Sequence, residues 1–496
     1  MNIIEKIIEN GNKFPDRIVM QCDDQQLTWR ELLAHSAAIA NYIEENTEDR
    51  GPVMVYGHKK VIMPAIFFAC ARSGRAYCPV DISTPDERII DIAEKIGNPM
   101  VLASEPLNCL DSRYSVVGLD DLHNICNGYS GEEVDPSLQI EGNDTCYIIF
   151  TSGSTGKPKG VEISCDSLTF FARWMSSLSQ SQPGDIFINQ APFSFDLSVM
   201  DTYTALYSGG SIFALSKDMQ KDMGYMFEAM RDSSANYWVS TPSFADLCLS
   251  DRNFSSELLP QLRKFLFCGE KLSKSTVRKL MERFPNAEII NTYGPTESTV
   301  AVTGVRITED MLEAEDELPI GAAKPGTDII IDENNGEIII KGDTVSKGYF
   351  KDPEKTEKVF GQEDGVRTYR TGDSGYFKDG NLYYRDRIDR QIKLHGYRME
   401  LGDIESNIME LEGVEGVSVI PEKDAEGKIR NLVAFVVKPE AEGGFKDAKA
   451  IKMQLKDKLP TYMVPKKIKF MKSLPVNANG KVDRKKLSEL IRKRNA

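Results

Sequence analysis

The sequence predicts an α/β protein with a large, multi-subdomain first region of layered sheets and a small α+β domain at its end. Three observations carry that reading. At 496 residues the chain exceeds what one ordinary core organises, so at least two folding regions are required. Up to about Gly380, short β-rich apolar runs alternate with stretches of helical periodicity, the pattern of sheets covered by helices. After Asp389 the texture changes to a compact helix and strand alternation of a size that folds by itself.

Taken in order, VMVYG precedes the helical KKVIMPAIFFACARSG, FINQAP precedes the stretch from Phe195, and YWVSTP precedes SFADLCL. Each first member is short and β-branched or aromatic; each second repeats its apolar residues at helical spacing. The strands GEIIIKG and GNLYYRD then mark a β-rich module near residues 330–390. Beyond it follow helix GDIESNIMEL, strand VSVIPE, polar turn KDAEGK, strand NLVAFVVK, helix DAKAIKMQLKDKL and strand KIKFM. The domain boundary is placed at Asp389–Arg390, giving domains 1–389 and 390–496.

Composition narrows the function. A net charge of −14 argues against nucleic acid as the main partner, because phosphate-backbone binding needs a positive surface. Nine cysteines lie singly between Cys22 and Cys268, and the histidines number four, so neither a disulfide framework nor a zinc or histidine-rich metal centre is suggested. The first residues lack a signal peptide's apolar core, and no apolar run approaches the roughly 20 residues of a membrane span, so a cytoplasmic location is expected. From Lys466 to Ala496 eleven Lys or Arg stand against two acids, a solvated terminal helix or a docking face for an anionic partner.

The most informative stretch is YIIFTSGSTGKPKG, residues 147–160, a strand running into a loop of hydroxyls, glycines and two lysines. A Walker loop needs G-x-x-x-x-G-K-[ST] before a helix. Here Gly153 and Gly156 are too close, and VEIS after Gly160 reads as a second strand. The loop therefore joins two strands and offers Thr151, Ser152, Ser154 and Thr155 hydroxyls, glycine N–H groups and the charge of Lys157 or Lys159 to a polyphosphate. A polar hairpin without a ligand explains the Gly and Ser content but not the length or the cations.

TSGSTGKPKG, NTYGPTE (291–297), YRTGD (369–373), RIDRQIKLHGYRMEL (387–401) and NANGK (477–481) together resemble, in order and spacing, the adenylate-forming ligase superfamily. RAYCPVD (75–81) and FDLS (195–198) resemble further motifs of its amino-acid-activating branch. The resemblance implies ATP-dependent formation of an acyl-AMP and pyrophosphate, then acyl transfer to a thiol. It assigns the triphosphate to Thr151, Ser152, Gly153, Ser154, Thr155, Gly156 and Lys159, and the magnesium ion to Glu297, a hard carboxylate suited to Mg²⁺. It places Thr296 at the α-phosphate, Asn291 and Tyr293 beside the adenine within the run that includes Thr292 and Gly294, Asp373 at the ribose hydroxyls and Arg387 at ribose or phosphate. Asp386 stands where the family usually carries glycine. Lys481, otherwise one lysine of a basic tail, becomes the main catalytic residue of adenylation. Asp389, otherwise a capping acid, becomes the hinge on which the mobile small domain turns, bringing the segment around Lys393 to the site for thiol transfer.

Asp196 is an acid amid apolar neighbours in PFSFDLSVM; it suits either a substrate ammonium or an N-cap for the helix that follows. The motifs FLFCGE, NTYGPTESTVAVT and NQAPFSFDLSVMDTYTALYSGG closely resemble the D-alanine-activating members that load a carrier protein. That resemblance makes Cys268, Met200 and Val300 walls of a methyl-sized pocket, D-alanine the substrate, a separate phosphopantetheinylated carrier protein the thiol partner, and teichoic acid the final acceptor. A stand-alone adenylation enzyme for glycine, L-alanine or serine in peptide synthesis is the alternative. An acyl-CoA ligase leaves Asp196 without an ammonium, and a non-catalytic nucleotide binder fits poorly with the presence of both Lys481 and Glu297.

Overall fold

The computed structural model describes the chain except for residues 98–99, 154–156, 315–316, 390, 395, 425–426, 442–443, 477–481 and 493–496. By its internal packing the chain forms two units. Met1–Ile82, Ala93–Phe150 and Gly160–Ile388 make the first; Ser83–Ile92, Thr151–Lys159 and Asp389–Ala496 make the second.

The first unit is built on three sheets. A nine-stranded sheet has six neighbouring parallel strands at its centre, in the order Glu288–Tyr293, Lys264–Phe267, Tyr237–Ser240, Ile186–Asn189, Ser211–Ala214 and Ile18–Cys22. Antiparallel strands close both edges: Gln25–Thr28 on one side, Thr303–Arg306 and Ala322–Ala323 on the other. A six-stranded sheet runs Ser115–Val117, Met100–Ala103, Val53–Tyr56, Tyr77–Val80, Thr145–Thr151, Lys159–Ser164. Parallel strands covered on both faces need apolar side chains on both, which is why VMVY, YWVS and KFLF are buried at every position.

One core unites the two sheets through the helices Trp29–Asn46, Met63–Arg72, Cys165–Ser179 and Leu197–Ser208. A second, rich in Trp238, Phe254, Phe265 and Phe284, packs the helices Met223–Asp232 and Lys274–Arg283 on the outer face of the nine-stranded sheet. The β-rich module is a five-stranded antiparallel sheet between Thr327 and Arg387. Eight of the nine cysteines are buried outside any disulfide, as small core residues.

In the second unit, Gly416–Lys423, Ile429–Val437 and Lys467–Phe470 form a three-stranded sheet against the helices Leu401–Met409 and Phe445–Lys458, with Ile404, Ile408, Val419, Ala434, Ile451 and Leu455 in its core. Gln391–Leu394 and Tyr397–Glu400 make a separate hairpin. Among the described residues no helix is long and apolar enough to cross a membrane.

Candidate active site

Parallel strands present their carboxyl ends along one edge of a sheet, where open α/β folds bind ligands. In the nine-stranded sheet those ends include Asn189, Ser240, Phe267 and Tyr293, and the motif residues gather just beyond these four. Their axis is a single segment, residues 291–300. It leaves the strand Glu288–Tyr293, makes a short 3₁₀ turn over Thr296–Ser298, and ends on Thr299 and Val300 in left-handed conformation, with φ of 58° and 66°. A β-branched residue at positive φ is strained, and such strain concentrates where a binding site dictates the backbone.

Several side chains of this segment reach different partners. Asn291 Nδ2 donates to Pro319 O at 2.8 Å and Thr292 Oγ1 to Phe267 O at 2.8 Å, fixing the strand end. Tyr293 Oη donates to Asp373 Oδ2 at 2.7 Å, and Arg387 Nη1 donates to Asp373 Oδ1 at 2.9 Å. Burial pushes the Tyr293 phenol well up, with the Asp373 charge adding to it, so the phenol keeps its proton and remains the donor. Asp373 is itself buried, and each carboxyl oxygen has lone pairs for more than one hydrogen bond, so acceptor capacity remains beyond Tyr293 and Arg387. Gly294 is obligatory for space: a Cβ there would lie 2.5 Å from Ala301 Cα and 2.7 Å from Val300 O.

Thr296 Oγ1 donates to Asp196 Oδ2 at 2.6 Å. Asp196 stands at the N-cap position of the helix Leu197–Ser208 but makes no side-chain capping bond, so the capping explanation fails. It is half-buried and already has Thr296 as a donor, which corrects the expectation of an unpartnered acid awaiting its ammonium. Thr296 has one hydroxyl hydrogen; while Asp196 receives it, contact with an α-phosphate oxygen requires the hydroxyl to change partner. Glu297 is fully buried and accepts from Tyr349 Oη at 2.8 Å. Cys268 Sγ lies 3.6 Å from Val300 O, and Met200, on the helix that Asp196 begins, is buried like both of them.

The structure thus brings together Asp196, Cys268, Asn291, Thr292, Tyr293, Gly294, Thr296, Glu297, Val300, Asp373 and Arg387. Asp386, in place of glycine, is accommodated within the strand Asn381–Arg387 by a pair of bonds with Ser374: Ser374 Oγ donates to Asp386 O at 2.9 Å and accepts from Asp386 N at 3.3 Å. Tyr349 was missed, being 52 residues beyond Glu297 with no motif around it, and the strain at Thr299 and Val300 has no signature in residue type.

The loop after Thr145–Thr151 does connect neighbouring strands, as its spacing requires, and the helix Cys165–Ser179 follows the second strand, capped by Ser164 accepting from Ser167 N. Ser154, Thr155 and Gly156 lie outside the described residues, as does Lys481. Within the second unit, Ser152 Oγ accepts from Glu400 N at 3.1 Å, and buried Lys159 pairs with Glu400 at 3.4 Å. Lys393 is half-buried opposite Arg398 in its hairpin, and Asp389 accepts from Gln391 N at 3.0 Å, a local turn bond of a linker residue.

Two buried carboxylates, Asp373 and Glu297, and the half-buried Asp196 thus gather around one strained segment at the carboxyl edge of a parallel sheet, where open α/β folds bind ligands. The chain belongs to the AMP-binding enzyme family: that family's model matches residues 7–350, and the model of the AMP-binding enzyme C-terminal domain matches residues 403–481. It is 44% identical to the D-alanine–D-alanyl carrier protein ligase of Bacillus cereus strain B4264 over 98% of this chain and 99% of that one. The same figures hold for the ligase of that name in Bacillus thuringiensis strain Al Hakam. Among solved structures, the Vibrio cholerae adenylation domain AlmE, in complex with glycyl-adenosine-5'-phosphate, superposes with a TM-score of 0.85 at 23% identity, covering 99% of this chain and 98% of AlmE. PA1221, a protein containing adenylation and PCP domains, gives 0.81 at 24% identity, with 98% and 84% covered. These likenesses establish the fold; the sequence relatives establish the family. The chain is an AMP-forming ligase.

Proposed function

We propose that the chain activates D-alanine with ATP and passes the D-alanyl group to the phosphopantetheine thiol of a separate carrier protein, supplying D-alanine for teichoic acid. The observation that carries this reading is the Thr296–Asp196 bond, which ties the nucleotide-side segment 291–300 to the acid expected to meet the substrate ammonium. Near full-length identity to ligases of that name supports the substrate.

In the first step a carboxylate oxygen of D-alanine attacks the α-phosphorus, an O–P bond forms, and the bond to the β-phosphate breaks to release pyrophosphate. Charge builds on the phosphates, so catalysis is mainly positioning and cationic stabilisation. Asp373 accepts the ribose hydroxyls while Tyr293 and Arg387 hold its orientation. The loop 151–159 and Lys481 meet the phosphates and carboxylate. Glu297 fits a magnesium ion by donor chemistry: it is a buried hard carboxylate that would hold the ion, and because no group of three or more His, Cys, Asp or Glu gathers among the described residues, the ion would need other oxygen donors beside it. When bound, magnesium neutralises part of the phosphate charge. In the second step the thiolate attacks the acyl carbon and AMP leaves, with the segment around Lys393 at the site after rotation at Asp389. Consumption of ATP supports a cytoplasmic reaction.

The buried Cys268, Met200 and Val300 are read as the walls of a methyl-sized pocket. On that reading, by analogy with a missing methylene, exchanging hydrogen for methyl at one carbon is worth about 1–3 kcal/mol, so D-alanine is preferred over L-alanine by about 10- to 200-fold. ATP–pyrophosphate exchange with D-alanine, L-alanine, glycine and D-serine tests this, followed by transfer to a carrier. Highest exchange with D-alanine is expected; faster exchange with L-alanine or another acid would overturn the substrate assignment.

A further inference from the structure

Two consecutive residues after the strand Val53–Tyr56, His58 and Lys59, are buried and polar, and the chemistry above uses neither. Lys59 reaches the carboxyl edge of the nine-stranded sheet, whereas His58 bonds Asp81 just after the neighbouring strand Tyr77–Val80 of its own sheet. Lys59 Nζ donates to Asn189 Oδ1 and to Ala191 O, and lies 4.4 Å from the Phe193 ring centroid. Asn189 Nδ2 in turn donates to Asp201 Oδ1 at 2.5 Å. Asn189 ends its strand, Ala191 and Phe193 lie in the connection to Asp196, and Asp201 is on the helix that Asp196 starts. The ammonium is therefore bonded before the acid and connected, through Asn189, to the helix after it. His58 Nδ1 lies 2.6 Å from Asp81 Oδ2, whose other oxygen accepts from Lys217 Nζ at 2.9 Å, a parallel brace to the strand Ser211–Ala214 side of the same edge.

A buried ammonium is expensive. The other oxygen of Asp201, Oδ2, is buried with no hydrogen-bond partner among the described residues, so the cluster is not an optimised stabilising ion pair. Burial pushes the Lys59 ammonium down and the Asp201 carboxyl up, each opposed by attraction to the other. Asp81 and Cys22 are the further charged or titratable groups that act on Lys59. Apolar residues would hold two sheets together at lower cost; what they cannot do is fix a loop carbonyl and a strand-end amide in one register.

We propose that Lys59 is a positioning residue for amino-acid recognition: with Asn189 and Asp201 it sets the connection 190–196 so that the Asp196 carboxylate meets the substrate ammonium. This rests on Asp196 being that partner. The role acts through Asp196 and leaves the nucleotide side, held by Asp373 and Glu297, unaffected.

Exchange kinetics with D-alanine and ATP varied separately, together with melting temperatures, test it in Lys59→Met, in the doubly neutral Lys59→Met/Asp201→Asn, and in Asp196→Asn. The expected result is a D-alanine KM raised about tenfold or more in both Lys59 variants, with ATP KM within about twofold of the parent and kcat little changed. The double variant removes both buried charges and is the one read if the single variant does not fold. A D-alanine KM within about twofold of the parent in a folded variant overturns the inference, as does a loss shared equally by both substrates. Failure of both to fold overturns it too, since the cluster is then a scaffold for the whole sheet edge. An unchanged D-alanine KM in Asp196→Asn overturns the reading beneath; a large change there, beside unchanged Lys59 variants, overturns this inference alone.

Discussion

At the scale of residues, the site separates what recognises from what orients. Tyr293 and Arg387 donate to the two oxygens of Asp373 and fix where they point, the orientation that the proposed ribose contact depends on. Cys268 is the clearest residue-level test of selectivity, because it is buried, packs near the strained Val300 carbonyl and does not touch the nucleotide-side carboxylates in any described bond. Cys268→Gly should reduce the preference for D- over L-alanine by about 1 kcal/mol or more, close to a tenfold fall in the kcat/KM ratio, while ATP KM stays unchanged. An unaltered ratio in exchange assays would remove the thiol from the pocket wall.

At the scale of elements, the turn after the strand Glu288–Tyr293 is the least tolerant. Gly294→Ala puts a methyl group against backbone atoms of residues 300 and 301, so the segment must shift, carrying Thr296 and Glu297 with it. A displacement of even 1 Å at reacting groups costs about a hundredfold, so kcat/KM for both substrates should fall by about that factor with the fold retained by circular dichroism. How much of this was legible differs by element. The strands VMVY and YWVS were readable because burial on both faces forces short, dense apolar runs. The two-strand character of the loop at 151–159 followed from VEIS standing where a helix would start. The partners of the site were not readable: Thr296 with Asp196, and Tyr349 with Glu297, meet across 100 and 52 residues, and only tertiary packing decides such pairs. Asp196 illustrates the limit, since an acid before a helix looks like a cap whether or not its oxygen turns to the N–H groups.

For the whole molecule, the two units divide the proposed labour between substrate recognition in the first and movable catalytic groups in the second. Lys481→Ala should abolish D-alanyl-AMP formation and leave thiol transfer from supplied D-alanyl-AMP near the parent rate; equal loss in both half-reactions, followed by pyrophosphate release and thioester yield, would contradict a division of steps. The single ten-residue stretch from Asn291 to Val300 has a further bearing on altering this enzyme. Because the proposed nucleotide, metal and amino-acid contacts all hang from one short run of backbone, mutations there should not retune the preferred amino acid without disturbing ATP use. Engineering toward larger acids has its freedom at Met200 and Cys268, which sit on a neighbouring helix and strand end and can be widened while that shared run is left untouched.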